Sequence, residues 1–399
     1  LTLFDAVSPD VETFGNHDFD YGPERTRELV ARSPQTWVAA NVVDGNGEPF
    51  GADVGVRPWT VVERGDVRVG LFGVLDHRTP ALDEAADSLT VTDPYEAAAA
   101  AVRDLRAHDV DYLLALSHLG RGDERLAVET GVDAVLGGHV HSERVERMGD
   151  GTVLARPGVN GRVLLEVTLD ADRIDVTRHE VAAADPDPAV ADRLRARRDG
   201  AGLDEVVATV ADPITRTERT VFRGESRVGN FVADAYRWAA DADVGMQNSG
   251  GIREGPPLAG EVTVGDLVSV VPFDEPVAVA ELSGRDLRET LASAHGATLS
   301  FGEADWWHAH VSGATVVRAA DGSLDAVRVG GDPVSPDRIY RLATTDFLFT
   351  ADAEFPALTP AHRVARLDTQ YEVLAAYARE EGVDARLEGR IVRRDGPNR

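Results

Sequence analysis

An amide, an imidazole and carboxylates stand close together near the beginning of the chain, in residues 15–22, which read GNHDFDYG. The side-chain oxygen of Asn16 can bind a metal ion. His17 and Asp20 suit a different role, because a carboxylate near an imidazole fixes its tautomer and favours its cationic form. Such a pair can stabilise transition-state charge or protonate a leaving oxygen. We therefore expect His17 and Asp20 to form a catalytic pair; the alternative is that Asp20 only caps the following turn.

Three more histidines follow apolar segments: His118 in LSHLG, and His139 and His141 in GGHVHS. Imidazole nitrogen and amide oxygen are ligands that suit Zn²⁺, Mn²⁺ or Co²⁺. His139 and His141 are separated by one residue, and we expect them to serve two metals rather than to chelate one. The sequence predicts a metal site built from Asn16 and these three histidines.

The elements expected to position these side chains alternate between strands and helices. His118 follows a predicted strand over 111–117, and His139 follows one over 133–136. Asp93 and Pro94 are typical of a helix start, so a helix is predicted from there to about residue 108. Both histidine groups therefore lie just past the carboxyl ends of strands, where open α/β sheets bind ligands.

A second constellation lies in residues 248–253, which read NSGGIR after an apolar strand predicted at 244–247. Glycines such as Gly250 allow the backbone to approach a ligand closely, while Asn248 and Arg253 present directional donors. Taken alone, the segment could also be an ordinary turn. The nearby segment WWHAH, residues 306–310, is interpreted as a loop or core aromatic cluster.

Composition limits the partners of the chain. Its 399 residues suffice for two domains, and its net charge is -28, with Arg at every one of its 41 basic positions. Such a surface repels nucleic acid polymers and anionic membranes. Dense carboxylates without Lys indicate a halophile, although a GC-rich genome would also favour Arg. Cys is absent, so thiolate metal sites are excluded, and no apolar run approaches the ~18 residues of a membrane span.

Together these motifs resemble those of the calcineurin-like metallophosphatases, specifically the 5′-nucleotidase / 2′,3′-cyclic-nucleotide phosphodiesterase / UDP-sugar hydrolase family. GNHDFDYG, LSHLG and GGHVHS resemble its metal-site blocks, and the segments of residues 224–235, 248–253 and 271–277 resemble its substrate-binding domain. The resemblance implies an α/β fold. An N-terminal αββα sandwich without its first strands would span residues 1–181, followed by a linker at 182–203 and an α/β substrate-binding domain at 204–395.

The resemblance also implies roles for individual residues. Asn16, His118 and His139 would bind one metal and His141 the other, with His17 and Asp20 as the catalytic dyad. A metal-bound hydroxide would hydrolyse the phosphate ester of a nucleotide, a small-molecule substrate. The substrate-binding residues implied are Asn248 and Gly250 near the base, Phe273 and Phe347 on its two faces, and Arg223, Arg227 and Arg253 at phosphate or ribose oxygens. Family members are commonly exported, which implies an extracytoplasmic or cell-surface location.

The sequence departs from the family pattern in two places. The family carries an Asp-x-His block and a Gly-Asp block upstream of GNH[DE], and residues 1–14 contain neither. We therefore expect an N-terminally truncated chain that retains ligands mainly for one metal and has little turnover. The family's ribose-binding Gly-Gly-Asp-Gly loop is also absent after Phe347, where the nearest acid is Asp352. The alternatives are a thiosulfohydrolase-type relative or a non-catalytic nucleotide-binding remnant.

Overall fold

A computed structural model describes residues 4–76, 89–149, 151–170, 173–299, 305–319, 321–351 and 354–394. The chain divides into two compact units, Leu1–Ala191 and Asp192–Arg399. Both units mix helices and strands, which confirms the predicted α/β class. Within the described segments, no helix is both long and apolar enough to span a bilayer.

The first unit is organised around a six-stranded sheet with the order β4-β5-β7-β8-β10-β9. Its four inner strands run parallel, while β4 and β9 are antiparallel edges. Smaller two-stranded pairs are β1-β2, β3-β6 and β11-β12. The strands are β1 (Val11–Glu12), β2 (Thr36–Trp37), β3 (Val42–Asp44), β4 (Trp59–Arg64), β5 (Val67–Leu75), β6 (Leu89–Val91), β7 (Tyr112–His118), β8 (Ala134–Gly137), β9 (Glu143–Met148), β10 (Thr152–Pro157), β11 (Val163–Asp170) and β12 (Arg173–Glu180).

Helices cover one face of this sheet, and the β11-β12 hairpin packs on the other. The helices are α1 (Phe4–Val7), α2 (Pro23–Arg32), α3 (Pro94–Arg106) and α4 (Asp123–Glu129). The predicted start of α3 is confirmed: the Asp93 carboxylate accepts from the backbone N–H groups of Tyr95 and Glu96. Ala98, Ala101, Val102 and Leu105 form the buried stripe of this helix, at the spacing that a half-buried helix requires.

Two neighbouring parallel strands bring the predicted metal ligands to one end of the sheet. In the register of β7 and β8, Ser117 stands opposite Gly137. His118, the next residue, ends β7. Gly138 and His139 follow the end of β8, on the neighbouring strand. The expectation that these histidines lie at the carboxyl ends of strands is confirmed.

The second unit contains a five-stranded sheet, β17-β14-β21-β16-β22, a four-stranded sheet, β20-β19-β18-β23, and the pair β13-β15. Its strands are β13 (Val206–Arg216), β14 (Val244–Asn248), β15 (Gly255–Thr263), β16 (Pro276–Ser283), β17 (Ala309–Ser312), β18 (Ala314–Arg318), β19 (Leu324–Val329), β20 (Asp332–Pro333), β21 (Ile339–Thr345), β22 (Arg363–Thr369) and β23 (Ile391–Arg393). Two hydrophobic clusters form its core, one built on the helices of residues 227–240 and 370–381 and the other around Trp307 and Tyr340.

The helices of the second half include one inside the segment predicted to be a linker. They are α5 (Pro188–Gly200), α6 (Glu218–Phe222), α7 (Arg227–Ala240), α8 (Val264–Val270), α9 (Gly284–Ala292) and α10 (Gln370–Glu381). No residue of α5 is buried, and the division between the two units falls within it. The helix α7 starts at Arg227, because the Ser226 hydroxyl accepts from the Gly229 N–H and caps it.

Candidate functional site

Three predicted metal ligands converge at the end of β7 and β8. Asn16 Oδ1 lies 2.9 Å from His118 Nε2, and His139 Nδ1 lies 3.2 Å from the same nitrogen. The two imidazole rings are inclined at 59°, with centroids 4.9 Å apart. One oxygen and two nitrogens from three separate segments are thus concentrated around a single point, as expected of metal donors.

The backbone of two glycines packs against the His118 ring on two sides. A Cβ added to Gly15 would lie 2.8 Å from His118 Cε1, and one added to Gly138 would lie 3.2 Å from His118 Nδ1. The backbone of His139 has φ 67°, a left-handed conformation that a histidine rarely adopts and that tends to occur at functional sites. The sequence therefore fixes this ring through two glycines and one strained turn.

The electrostatic surroundings favour a neutral His118. Burial lowers its pKa from 6.5 to about 4, assisted by repulsion from His139 and His17. At neutral pH the imidazole therefore keeps a lone pair available for a cation. An unprotonated ring of this kind fits metal coordination better than proton transfer.

His17 and Asp20 form the contact expected of a dyad. His17 Nδ1 lies 2.9 Å from Asp20 Oδ2 and 3.2 Å from Oδ1 within a short 3₁₀ turn. The His17 side chain is 50% exposed, so it can meet a ligand from solvent. Asp20 is also the C-cap of this turn, because its backbone N–H donates to the His17 carbonyl oxygen; the alternative role, capping the following turn, stays a prediction.

His141, the fourth predicted ligand, is exposed two residues beyond His139. Across the described ranges, no three His, Cys, Asp or Glu side chains are grouped so as to hold a metal ion. The cluster of metal donors has three members because the amide oxygen of Asn16 joins the two histidines. The structure thus brings together Asn16, His118 and His139.

A buried polar network lies directly behind the histidine-bearing loops. The Ser117 hydroxyl donates to Asp123 Oδ1 over 2.6 Å, and Arg156 Nη1 lies 3.4 Å from Asp123 Oδ2. Arg156 also donates to the carbonyl oxygens of Gly120 and Ser142, at 3.1 and 3.0 Å. Asp123 is fully buried, and burial raises its pKa to about 6. The network therefore connects the loop after His118 to the loop after His141.

In the second unit, five of the seven predicted nucleotide-binding residues lie at one end of the five-stranded sheet. The parallel strands β14 and β21 end there, at Asn248 and Thr345, with Phe347 just beyond. The antiparallel strands β16 and β17 begin there, because Val277 pairs with Thr345 and Ala309 with Asn248. This end of the sheet is called the nucleotide edge below.

Asn248 is almost fully buried at the nucleotide edge, and both ends of its amide are engaged. Its Nδ2 donates to Glu354 Oε2 over 3.0 Å, and its Oδ1 accepts from Gln247 Nε2 over 2.7 Å. His308 Nε2 lies 2.8 Å from the same Glu354 oxygen. A Cβ on Gly251 would lie 2.0 Å from Gln247 Nε2, so this glycine is required by close packing.

The aromatic and cationic residues of the nucleotide edge are partly accessible. Phe273 and Phe347 are half-buried, and the Arg253 guanidinium lies 5.0 Å from the Phe273 ring centroid. Gly250 packs against the imidazole of His308, with its added Cβ 3.3 Å from Cε1. Asn248, Gly250, Arg253, Phe273 and Phe347 are thus placed at one end of one sheet.

The two other predicted arginines have other partners. Arg227 donates to the carbonyl oxygens of Ala385, Asp212 and Pro213, which holds the start of α7 against neighbouring loops. Arg223 pairs with Asp305 at 3.3 Å and lines a cavity of about 370 Å³ with Arg318 and Arg393. Asp352, considered from the sequence as the ribose acid, lies outside the described residues.

Comparisons with known proteins agree with this arrangement. Residues 206–360 match the 5′-nucleotidase C-terminal domain. The fold resembles the crystal structure of a 5′-nucleotidase precursor from Thermus thermophilus, with a TM-score of 0.83 and 27% identity over 99% of this chain and 86% of that one. Residues 206–360 thus match a 5′-nucleotidase C-terminal domain, and the fold of the whole chain is similar to that of a 5′-nucleotidase precursor.

Two further proteins show how far this similarity extends. The trifunctional nucleotide phosphoesterase protein YfkN of Bacillus subtilis is 24% identical over 98% of this chain, which spans 31% of that protein's length. The sulfate thiohydrolase SoxB of Thermus thermophilus has the same fold, with a TM-score of 0.79 at 21% identity, over 100% of this chain and 75% of that one. The 5′-nucleotidase fold is therefore shared with proteins that carry another activity in their names.

Divalent metal ions are implied by this 5′-nucleotidase and phosphoesterase family, and the residues present fit them. The cluster offers one amide oxygen and two imidazole nitrogens, a set suited to Zn²⁺, Mn²⁺ or Co²⁺. Its central imidazole is neutral and is held by backbone that leaves no room for a side chain at Gly15.

Sequence reasoning missed four residues of these sites: Asp123, Arg156, His308 and Glu354. Asp123 and Arg156 belong to no motif, and their buried contact joins elements 33 residues apart. His308 was assigned to an aromatic cluster, and it does stack on Phe222 and Phe355 at 5.8 and 5.9 Å. The one sequence signal that could have indicated Glu354 is its type: it is an acid in a segment where the related family carries glycines.

Proposed function

We propose that this chain hydrolyses nucleotide phosphate esters in the manner of a 5′-nucleotidase, releasing a nucleoside and phosphate. The observation that carries the proposal is the convergence of Asn16 Oδ1, His118 Nε2 and His139 Nδ1 at the strand ends of a 5′-nucleotidase fold. Residues 1–181 would form the metallophosphatase domain, 182–203 the linker and 204–395 the substrate-binding domain. An extracytoplasmic location follows from the family resemblance.

Asn16, His118 and His139 would hold one divalent ion, and His141 would contribute to a second. Bound divalent ions lower the pKa of water and neutralise the oxygens of a transferring phosphoryl group. His118 suits this role, because its lowered pKa keeps the nitrogen free of a proton at neutral pH. The buried Asp123–Arg156 pair would hold both histidine loops at a fixed separation.

His17 would act on the leaving group. Its Nδ1 contacts Asp20, so a contact with a substrate oxygen would use Nε2. The Asp20 carboxylate would orient the ring, which could donate a proton to the departing ribose oxygen or stabilise negative charge on the phosphoryl oxygens. In this proposal the neutral His118 binds the metal, and His17, which is paired with Asp20, transfers the proton.

The nucleotide edge of the second unit would bind the base and sugar. Phe273 and Phe347 are half-buried aromatic rings that can stack on any base, because every base has a π-face. Arg253 would meet a phosphate or ribose oxygen. Arg223 and Arg227 are assigned to phosphate only by family resemblance, and Arg227 would have to release its carbonyl partners to reach a ligand.

The test is release of phosphate from nucleoside 5′-monophosphates by the full chain in the presence of Mn²⁺. His118→Ala should abolish turnover and metal binding together, whereas Arg125→Ala, on an exposed helix surface, should leave both unchanged. Sulfate release from an S-sulfonated cysteine with no phosphate release would indicate a thiosulfohydrolase instead. Nucleotide binding without any turnover would identify a non-catalytic nucleotide-binding protein.

A further inference from the structure

Three arginines line the cavity of about 370 Å³ in the second unit. They are Arg223, Arg318 and Arg393, and this space is called the arginine cavity below. Arg318 ends β18 and Arg393 ends β23, and the two residues stand directly opposite each other where these strands pair in parallel. Burial lowers the pKa of Arg318, and the positive charge of Arg393 lowers it further. Two cationic side chains are therefore brought together on neighbouring strands.

Arg318 is almost completely buried, and its guanidinium has weak acceptors. The residue is 5% exposed, and its Nε is sealed from solvent without a hydrogen-bond partner. Its Nη1 and Nη2 lie 3.4 and 3.5 Å from the carbonyl oxygens of Trp306 and Arg223, beyond the usual length of such hydrogen bonds. Both of these acceptors are neutral. A buried charge in such surroundings is costly unless a group of opposite charge compensates it.

The two carboxylates of the arginine cavity are engaged by other groups. Asp305 pairs with Arg223 over 3.3 Å. Glu225 accepts from the three backbone N–H groups of residues 388–390, over 2.7 to 2.9 Å, and from the side-chain amide of Asn230. Three guanidinium groups and two carboxylates leave one positive charge in excess, in a chain whose net charge is -28. The cavity is thus a local cationic site on an acidic protein.

The chemistry of this lining favours a phosphate group as the ligand. A guanidinium presents its N–H donors in a planar fork that fits the oxygens of a carboxylate or a phosphate. A phosphate group carries three or more acceptor oxygens and a charge of roughly −1.5 to −2 near neutral pH, so it can meet two guanidinium groups at once. A carboxylate, which has fewer oxygens and less charge, would satisfy fewer of these donors.

We propose that the arginine cavity binds a phosphate group, with Arg318 and Arg393 as its principal contacts. Both residues lie outside the segments that resemble the metallophosphatase family. Among the described residues, those that line the cavity include none of the nucleotide edge. The site is therefore additional to the metal cluster and to the nucleotide edge, and phosphate binding there does not require the proposed hydrolysis.

Equilibrium dialysis of labelled inorganic phosphate against the metal-free full chain tests the proposal. Removing metal ions excludes phosphate bound through a metal. Wild type should bind phosphate saturably, and Arg393→Gln, an exposed position, should bind it about 10-fold or more weakly, because hydrogen bonds to charged groups are strong. Arg328→Gln, an exposed arginine of β19 in the same sheet, is the matched control and should bind like wild type. No saturable binding to wild type, or equal affinities of wild type and Arg393→Gln, would overturn the proposal.

Two more variants assign the binding to this cavity. Arg318→Gln should also bind phosphate about 10-fold or more weakly, and its thermal unfolding shows whether the fold survives, since Arg318 lies 5.6 Å from the Trp307 ring centroid. A folded Arg318→Gln protein with wild-type phosphate affinity would contradict the assignment. Arg253→Gln, at the nucleotide edge, should keep the phosphate affinity of wild type. Loss of phosphate binding in Arg253→Gln alone would place the phosphate at the nucleotide edge and refute the proposal.

Adenosine 5′-monophosphate identifies the source of the phosphate group. If the cavity takes free phosphate, the nucleotide should not displace the labelled ion, and Arg393→Gln should bind the nucleotide like wild type. If the cavity takes the phosphate of a nucleotide, the nucleotide should displace the ion, and Arg393→Gln should bind the nucleotide more weakly. Phosphate binding without nucleotide hydrolysis would contradict the hydrolase proposal alone. Hydrolysis by a chain that binds no phosphate when metal-free would contradict the cavity proposal alone.

Discussion

Gly15→Ala perturbs the proposed metal site without removing any donor. The backbone of Gly15 has φ −104° and ψ 171°, values that alanine adopts freely, so the substitution adds no backbone strain. The added methyl carbon would lie 2.8 Å from His118 Cε1, whereas ordinary contacts begin at 3.4 Å. The ring must therefore shift by at least about half an ångström, since Gly138 backs it on another side.

A shift of that size acts directly on the donor geometry. His118 Nε2 lies 2.9 Å from Asn16 Oδ1 and 3.2 Å from His139 Nδ1, and all three distances to a shared cation would change. Disturbing the groups that orient a metal ligand typically lowers metal affinity ~10–100-fold. Crowding of this kind costs about 1–3 kcal/mol of folding stability.

Calorimetric titration with Mn²⁺ and thermal unfolding measure these two effects separately. Gly200→Ala is the matched control, because an added Cβ there meets no atom within 4 Å. Wild type and Gly200→Ala should bind Mn²⁺ equally, with Gly15→Ala at least 10-fold weaker. Unchanged Mn²⁺ affinity in a folded Gly15→Ala protein would refute the idea that the position of His118 controls the metal site.

Three further predictions concern other parts of the two sites. Burial raises the pKa of Asp123 from 3.8 to about 6, so the folded state keeps a proton that the unfolded chain loses, and the free energy of unfolding falls by about 2 kcal/mol as pH rises from 4 to 6. Asp123→Asn should lack this part of the pH dependence in chemical unfolding, and an identical slope would contradict the buried-carboxyl assignment. His17→Ala should lower kcat by ~10²–10⁴-fold with Mn²⁺ affinity retained, and equal turnover would exclude His17 from the mechanism. Gly251→Ala should lower the unfolding midpoint and weaken nucleotide binding, because its Cβ would overlap the Gln247 amide; a variant as stable as wild type would show that this turn can rearrange.

Local signals predicted much of the first site. The sequence shows that His118 and His139 each follow an apolar run of strand length. A helix start that contains Pro, and glycines beside the histidines, mark the neighbouring elements. Parallel pairing of β7 and β8 then brings them together. The pairing of His17 with Asp20 was also predictable, because both lie in one short turn.

Contacts between distant segments were not predictable in the same way. Arg156 meets Asp123 across 33 residues, and Glu354 meets Asn248 across 106, so no periodicity or spacing encodes either contact. Asn248 shows the consequence. Its type and motif predicted a ligand contact, but a neighbouring glutamine and a remote acid occupy its amide. Arg227 is a second example, because its guanidinium donates to three backbone carbonyls of distant segments that its motif does not indicate.

Phosphate release from adenosine 5′-monophosphate, measured before and after metal removal, tests the central claim most directly. The full chain, treated with chelator and then resupplied with Mn²⁺, should lose phosphate release and regain it. Asn16→Ala should fail to regain it at the Mn²⁺ concentration that restores the wild type. Phosphate release that persists in chelator, or that Asn16→Ala regains as fully as wild type, would contradict a metal-dependent hydrolase built on the Asn16, His118 and His139 cluster.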